Sequence, residues 1–169
     1  MESTDKRRRL LLTSGLVLGA AAVARAFRGS PAVAKPVEET FEVVKTEAEW
    51  KQQLSPQAYR VLRDHGTERA GTSPLDHEKR AGTFVCAGCR LPLFASETKF
   101  DSGTGWPSFF APLPDAVRTR ADRGLFMART EVHCRRCGGH LGHVFDDGPR
   151  PTGLRYCMNG VAMAFEPKG

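Results

Sequence analysis

Hydrophobic and polar positions fall into three successive patterns along this chain. The first is an uncharged run, LLLTSGLVLGAAAVA, from Leu10 to Ala24, directly after Lys6-Arg7-Arg8-Arg9. A basic start, a short apolar stretch and small-x-small sites (Ala24-Arg25-Ala26 and Ala32-Val33-Ala34) have the form of a signal peptide. The run falls short of the roughly 20 residues that span a bilayer as a helix. Cleavage is expected at the second site, because Arg25 sits inside the first. Arg7-Arg8-Arg9-Leu10-Leu11 also has the form of a twin-arginine address, which is read by a receptor. Residues 1–34 are therefore expected to export the protein, in a bacterium to the periplasm; an uncleaved membrane anchor is the alternative.

The second pattern is helical and brief. After a Pro/Ala/Glu-rich linker, taken as 35–44, Thr46-Glu47-Ala48-Glu49 has the form of a capping box and opens a helix through Trp50 to Leu54. Ser55-Pro56 offers a cap and a first-turn proline for a second helix, Gln57 to about Asp64, with Tyr59 and Leu62 on one face. His65-Gly66 ends it.

From Gly71 onwards the third pattern takes over: Gly and Pro recur, and helical periodicity disappears. Short β-type runs remain at Thr83–Cys86, Leu125–Val132, His140–Phe145, Leu154–Met158 and Val161–Phe165. Their spacing and the turn residues between them predict antiparallel hairpins. The expectation is one mainly β domain over 45–169, with antiparallel sheets in a sandwich or barrel-like arrangement and two short helices before them.

Charge changes this picture little. The net charge is +6, but residues 1–34 hold six Lys/Arg against two Asp/Glu, leaving 19 against 17 in the remainder. The folded part is nearly neutral. It has no basic stripe interleaved with aromatics, so no nucleic-acid partner is expected. Arg118, Arg120, Arg123, Arg135 and Arg136 read as a solvated rim.

The cysteines carry the first chemical signal. Cys86 and Cys89 form one C-x-x-C, Cys134 and Cys137 form a second, and Cys157 stands alone. Two such knuckles are the usual frame of a tetrahedral four-thiolate zinc site. The 44 residues between them exceed the gap of a compact zinc finger, so the metal would join two distant hairpins. Four thiolates leave no open position, which makes the ion structural. Two short disulfides or a redox pair are the competing readings, although neither knuckle opens a helical pattern as redox C-x-x-C motifs do.

Cys157 then has neither a disulfide mate nor a metal duty, and such a thiol is a candidate nucleophile. Arg155 and Asn159 are each two residues away, hence on the same face of a strand. A guanidinium there favours the thiolate. His140 and His143 follow the second knuckle. Three residues apart on a strand, they reach one pocket only if the chain is bent or bulged near Gly142. Gly103-Thr104-Gly105-Trp106-Pro107-Ser108-Phe109 supplies an aromatic wall in a Gly/Pro loop. Each feature also has a bland reading: a buried hydrophobe for Cys157, core for Trp106, surface for the histidines.

At these residues the chain resembles the B-type peptide-methionine (R)-S-oxide reductases. The matching segments are GTE at 66–68, FDSGTGWPSF at 100–109, the knuckles CAGC and CRRC, and GHLGHVFDDGPRPTGLRYCMNG at 139–160. The resemblance implies that Cys157 attacks the sulfur of methionine-R-sulfoxide, while His140 and His143 place its oxygen and supply a proton, with Asn159 assisting. It implies that Trp106 contacts the substrate methyl group and that Arg155 helps hold the Cys157 thiolate. It further implies a structural zinc on Cys86, Cys89, Cys134 and Cys137, oxidised peptides as substrate and a thioredoxin-like or other thiol as reductant. Oligomeric state is not legible; a monomer is the default.

Two positions depart from the family pattern. Thr104 stands where many members have a resolving cysteine, which implies a one-cysteine cycle completed by an external thiol. Gly160 replaces a common serine after Asn159, and a looser loop is expected there. A non-catalytic zinc-clipped binding module and a thiol-disulfide oxidoreductase remain as alternatives, and turnover separates them.

Overall fold

The computed structural model describes residues 39–123 and 128–169; the expected export signal lies outside these residues. Among the described residues no helix is long and apolar enough to cross a membrane.

The two helices form where their caps predict. Helix α1 spans Glu47–Gln53, with both halves of the Thr46/Glu49 capping box made. Helix α2 spans Pro56–Leu62, capped by the Ser55 hydroxyl on the Ala58 N–H. It buries Ala58, Val61 and Leu62. His65 then adopts a left-handed conformation (φ 53°), which redirects the chain after α2.

Among the described residues the strands form two open antiparallel sheets that stack in a sandwich-like manner, without a closed barrel. Strands β1 (Gly82–Cys86), β2 (Pro92–Ala95) and β9 (Met163–Pro167) make a three-stranded sheet in the order β2-β1-β9. The other six are β3 (Lys99–Phe100), β4 (Ser108–Phe109), β5 (Val117–Arg123), β6 (Ala128–Cys134), β7 (His140–Phe145) and β8 (Arg155–Met158). Their order is β3-β4-β8-β7-β6-β5. Aromatic rings join the two layers. Phe94 of β2 stacks on Phe109 of β4 at 4.3 Å between centroids, and Phe84 of β1 meets Phe109 edge-on at 4.9 Å. All three are fully buried, the arrangement that gains most from large apolar side chains.

The five strand runs read from the sequence each meet a strand over their described residues; 125–127 of the second run lie outside these, and the last begins late, after a 3-10 turn at residues 160–162. Strand β5, VRTRADR, was not legible because it has almost no apolar alternation. It is an edge strand, and two of its arginines are held by carboxylates, Arg118 by Glu39 and Arg120 by Glu131. Thus part of the expected solvated rim is a paired sheet edge. Residues 39–44, within the stretch read as linker, also bond to the domain: Val43 N–H donates to Arg136 O, and Glu39 pairs with His133.

Candidate active site and metal centre

Each cysteine knuckle begins at a strand end: Cys86 closes β1 and Cys134 closes β6. The chain folds back tightly at both, with Arg90 N–H donating to Cys86 O and Gly138 N–H to Cys134 O. The residue after each second cysteine is left-handed, at φ 60° for Arg90 and 68° for Gly138. Since β1 and β6 belong to different sheets, closing the two knuckles ties the layers together.

The four sulfurs converge. Sγ of Cys86 and Cys137 are 3.8 Å apart, those of Cys89 and Cys134 are 3.5 Å apart, and all four lie within 4.8 Å of one another. Sulfurs about 2.3 Å from a common centre lie about 3.8 Å apart at the tetrahedral angle. The cluster can therefore hold a metal ion, and its spacing fits tetrahedral coordination rather than two disulfides. Hydrogen bonds among the sulfurs, with Cys134 foremost, push the Cys86 thiol up and pull the Cys89 thiol down. One thiolate in this cluster opposes the next, a conflict that a divalent cation removes.

The second site lies in the middle of the six-stranded sheet. In the β7–β8 ladder His143 is the direct Cα partner of Cys157, so both side chains leave the same face. The bend required near Gly142 is present: the β6–β7 register pairs His133 with His140 but Val132 with Gly142, leaving Leu141 as the extra residue of a bulge. The His140 and His143 rings consequently meet edge-on, 5.3 Å between centroids. Gly142 has a separate reason to be glycine, because a Cβ there would lie 2.1 Å from the Cys157 carbonyl oxygen.

A cavity of about 130 Å³ opens on this face, lined by Trp106, His143, Phe145, Cys157 and Asn159 among others. His140 is buried beside His143 and does not line it. A larger cleft of about 460 Å³ near the helices holds neither thiol nor imidazole, and the chemistry selects the smaller cavity. Burial pushes the Cys157 thiol up, against the opposing pull of the Thr104 hydroxyl, the Arg155 guanidinium and Ser108. Thr104 Oγ1 is 4.0 Å from Cys157 Sγ, in a hydroxyl chain that continues to Ser102 (2.8 Å) and Ser108 (2.7 Å). Arg155 forks onto Asp147 with two 2.8 Å bonds and lies over the Phe145 ring, which fixes it near the thiol.

Asn159 and Trp106 are both anchored by the same short loop. Asn159 Oδ1 accepts from the Glu68 N–H (2.9 Å) and its Nδ2 donates to Leu141 O (3.0 Å). The Trp106 indole N–H donates to Glu68 O at 3.2 Å. The Glu68 carboxylate in turn accepts from the N–H groups of Gly160 and Val161. Glu68 thus gathers the tryptophan wall and the turn after Cys157, a role visible beforehand only in the GTE match. The expected loosening at Gly160 does not occur. Gly160 is buried, its N–H is held by Glu68, and a Cβ there would lie 1.8 Å from Ser73 Oγ. The hydroxyl of Ser73 fills the space that a side chain at 160 would need.

Each histidine also has a carboxylate partner that sequence reasoning missed. His140 Nδ1 is 2.8 Å from Glu131 Oε1, and both side chains are buried. His143 Nε2 is 2.8 Å from Asp122 Oδ2, which Arg129 also holds at 2.9 Å. Burial works against the Glu131 charge, but the bonds from His140 and Arg120 outweigh it and hold the carboxyl down at about 2. Burial pushes the His143 imidazole below its ordinary value, only partly opposed by Asp122. These carboxylates fix ring orientation and decide which nitrogen carries the proton. No sequence signal pointed to either: β5 was not legible as a strand, and the pairing of β6 with the histidine-bearing β7 exists only in the folded sheet.

Comparison with known proteins agrees with this geometry. The SelR domain matches residues 54–167. A protein of Agrobacterium fabrum named peptide methionine sulfoxide reductase MsrB is 55% identical over 127 residues, covering 75% of this chain and 94% of its own length. Proteins of the same name from Leptospira interrogans and Methanosarcina barkeri are 52% and 54% identical, covering 75% and 73% of this chain and 97% and 88% of their own. With the two knuckles, the GWPSF wall and the Cys157–His143 pair all inside the matched span, this chain belongs to the SelR-domain family of MsrB-type methionine sulfoxide reductases.

Proposed function

We propose that the protein reduces methionine-R-sulfoxide, held in a peptide, to methionine, using Cys157 as nucleophile. The observation that carries this reading is the placement of Cys157 opposite His143 on the floor of a small cavity walled by Trp106. The Cys157 sulfur attacks the sulfoxide sulfur, and the S–O bond breaks as the oxygen takes up a proton. His143 stands beside the reacting thiol, which suits it to position the oxygen and supply that proton, and His140 packs behind it against the His143 ring. In balance, the thiol and the sulfoxide become methionine and a Cys157 sulfenic acid, a species that a thiol can reduce. Two equivalents of external thiol return Cys157–SH, releasing one disulfide and one water. Thr104 cannot supply that thiol, and the other four cysteines are gathered in the metal cluster. A thioredoxin-like protein or a small thiol therefore fits as reductant.

The indole of Trp106 suits a polarised methyl group next to sulfur, whereas the opposite epimer would present oxygen there. Asn159 and Glu68 act as positioning residues, since their polar groups are bound to backbone. Zinc fits the four-cysteine centre by donor type and spacing, and its contribution there is folding free energy. Repair of oxidised proteins outside the cytoplasm, after export through the signal at residues 1–34, is the setting that the sequence favours.

The test supplies the protein with a peptide carrying each separated sulfoxide epimer and a dithiol reductant, wild type beside Cys157→Ser. The expected result is methionine from the R epimer alone, lost in the variant, with one Cys157 sulfenic acid trapped per turnover when thiol is withheld. Folded, metal-loaded protein that reduces neither epimer would instead indicate a binding module.

A further inference from the structure

One group of metal-type donors stands apart from the four cysteines. His65, Glu131 and His140 each offer one atom, and the three atoms lie within 4.8 Å of one another. His65 Nδ1 is 3.2 Å from Glu131 Oε1, and His140 Nδ1 is 2.8 Å from the same oxygen. The His65 and His140 rings are 5.3 Å apart. The tertiary fold alone brings them together: His65 comes from the turn after α2, Glu131 from β6 and His140 from β7. His65 is half exposed while Glu131 and His140 are buried, so the group is open to solvent on the His65 side.

We propose that His65, Glu131 and His140 form a second divalent-metal site, selective for zinc-like ions, whose occupation switches the enzyme off. Two imidazoles and a carboxylate are a common three-ligand zinc set that leaves one position for water. Ligands about 2.0–2.2 Å from zinc lie roughly 3.3–3.6 Å apart at the tetrahedral angle. The observed 3.2 Å therefore needs to open by roughly 0.1–0.4 Å and the observed 2.8 Å by roughly 0.5–0.8 Å. Arg120 holds the far oxygen of Glu131, Oε2, as an outer-shell partner of a ligating carboxylate would. Its second nitrogen also reaches Oε1 at 3.2 Å, a weaker contact that the ion would displace.

Occupation would disarm the histidine pair by simple valence. An ion on Nδ1 of His140 would take up its lone pair and pin the ring that packs edge-on against His143, 5.3 Å between centroids. The inhibitory consequence rests on the reductase reading above, whereas binding of the ion does not.

The experiment uses the full chain with its four-cysteine centre loaded with zinc, in buffer without thiol. Zinc is titrated against a chromophoric competitor in wild type, Cys157→Ser and His65→Asn. Asparagine is chosen because position 65 has a positive φ that it tolerates, and His65→Gly serves if it folds poorly. Wild type and Cys157→Ser should each take one further equivalent. Loss of outer-shell partners alone weakens metal sites about 10- to 100-fold, so removing the His65 ligand should weaken this equivalent by ~10-fold or more. No further equivalent in wild type, or one kept by both His65 variants, overturns the proposal. So does one lost in Cys157→Ser, which would place the ion on the thiolate. In single-turnover reduction without thiol, zinc should slow wild type by ~10-fold or more, given the 10²- to 10⁴-fold that a general acid contributes. His65→Asn should turn over as wild type does without zinc, and be unaffected by it. Binding as described, in a protein that never reduces the sulfoxide, would retain the metal site and remove the reductase reading.

Discussion

His143 and Cys157 sit directly opposite each other in the β7–β8 ladder, imidazole and thiol on one face of the sheet. The pairing depends on a close strand approach at the neighbouring rung, where Gly142 faces Met158. There is no room for a methyl group at position 142.

Gly142→Ala should therefore damage both fold and site. The new Cβ would meet the Cys157 carbonyl oxygen at 2.1 Å, which forces the strands apart. A destabilisation of about 1–3 kcal/mol is expected from such overpacking. Urea denaturation measures it, and turnover of the R-sulfoxide should fall by more than stability accounts for.

Glu131→Gln should lower kcat more than it raises KM, because the change leaves the cavity lining intact while releasing the His140 ring. The expected loss is ~10-fold or more, below the 10²–10⁴ of a deleted general acid. A second readout comes from pH. The Glu131 carboxyl is held at about 2 in the folded protein against an ordinary 4.5. Its contribution to stability is therefore complete above pH 4.5 and is lost as pH falls from there toward 2. Wild type should be the more stable at pH 7, and the gap should close across that window.

Replacing Cys86, Cys89, Cys134 or Cys137 by serine should release one metal ion per chain and unfold the domain, because the cluster joins the two sheets. Circular dichroism and metal analysis after dialysis against a strong chelator should report the same loss in wild type. A cleanly folded, active Cys86→Ser protein would refute the structural role.

Thr104→Cys should create an internal resolving step. Thr104 Oγ1 is 4.0 Å from Cys157 Sγ, close enough for a modest side-chain rotation to bring two sulfurs into bonding range. After one turnover without added thiol, mass analysis should find a 104–157 disulfide in the variant and sulfenic acid in wild type. Thr104→Val removes the hydroxyl that favours the thiolate, so the Cys157 thiol should titrate higher still, as thiolate absorbance would show.

The caps of both helices, the five strand runs, the two knuckles and the lone Cys157 were all legible in the sequence, because each is local: a cap, a period of two, or a fixed spacing. The Gly142 bend was legible as a requirement, since two histidines three apart cannot otherwise share a face. What only the tertiary structure decided is who meets whom across the sheets. Glu131 and Asp122 lie on strands whose pattern gave no sign of a site, yet they orient His140 and His143. Glu68, some ninety residues before Gly160 and Val161, clamps the turn after Cys157, and Ser73 decides that position 160 must be glycine. Burial outweighs Arg155 at the Cys157 thiol, although the two-residue spacing pointed to the guanidinium alone. Local periodicity and spacing are properties of the chain, whereas desolvation, steric room and long-range hydrogen bonds exist only once the sheets have packed.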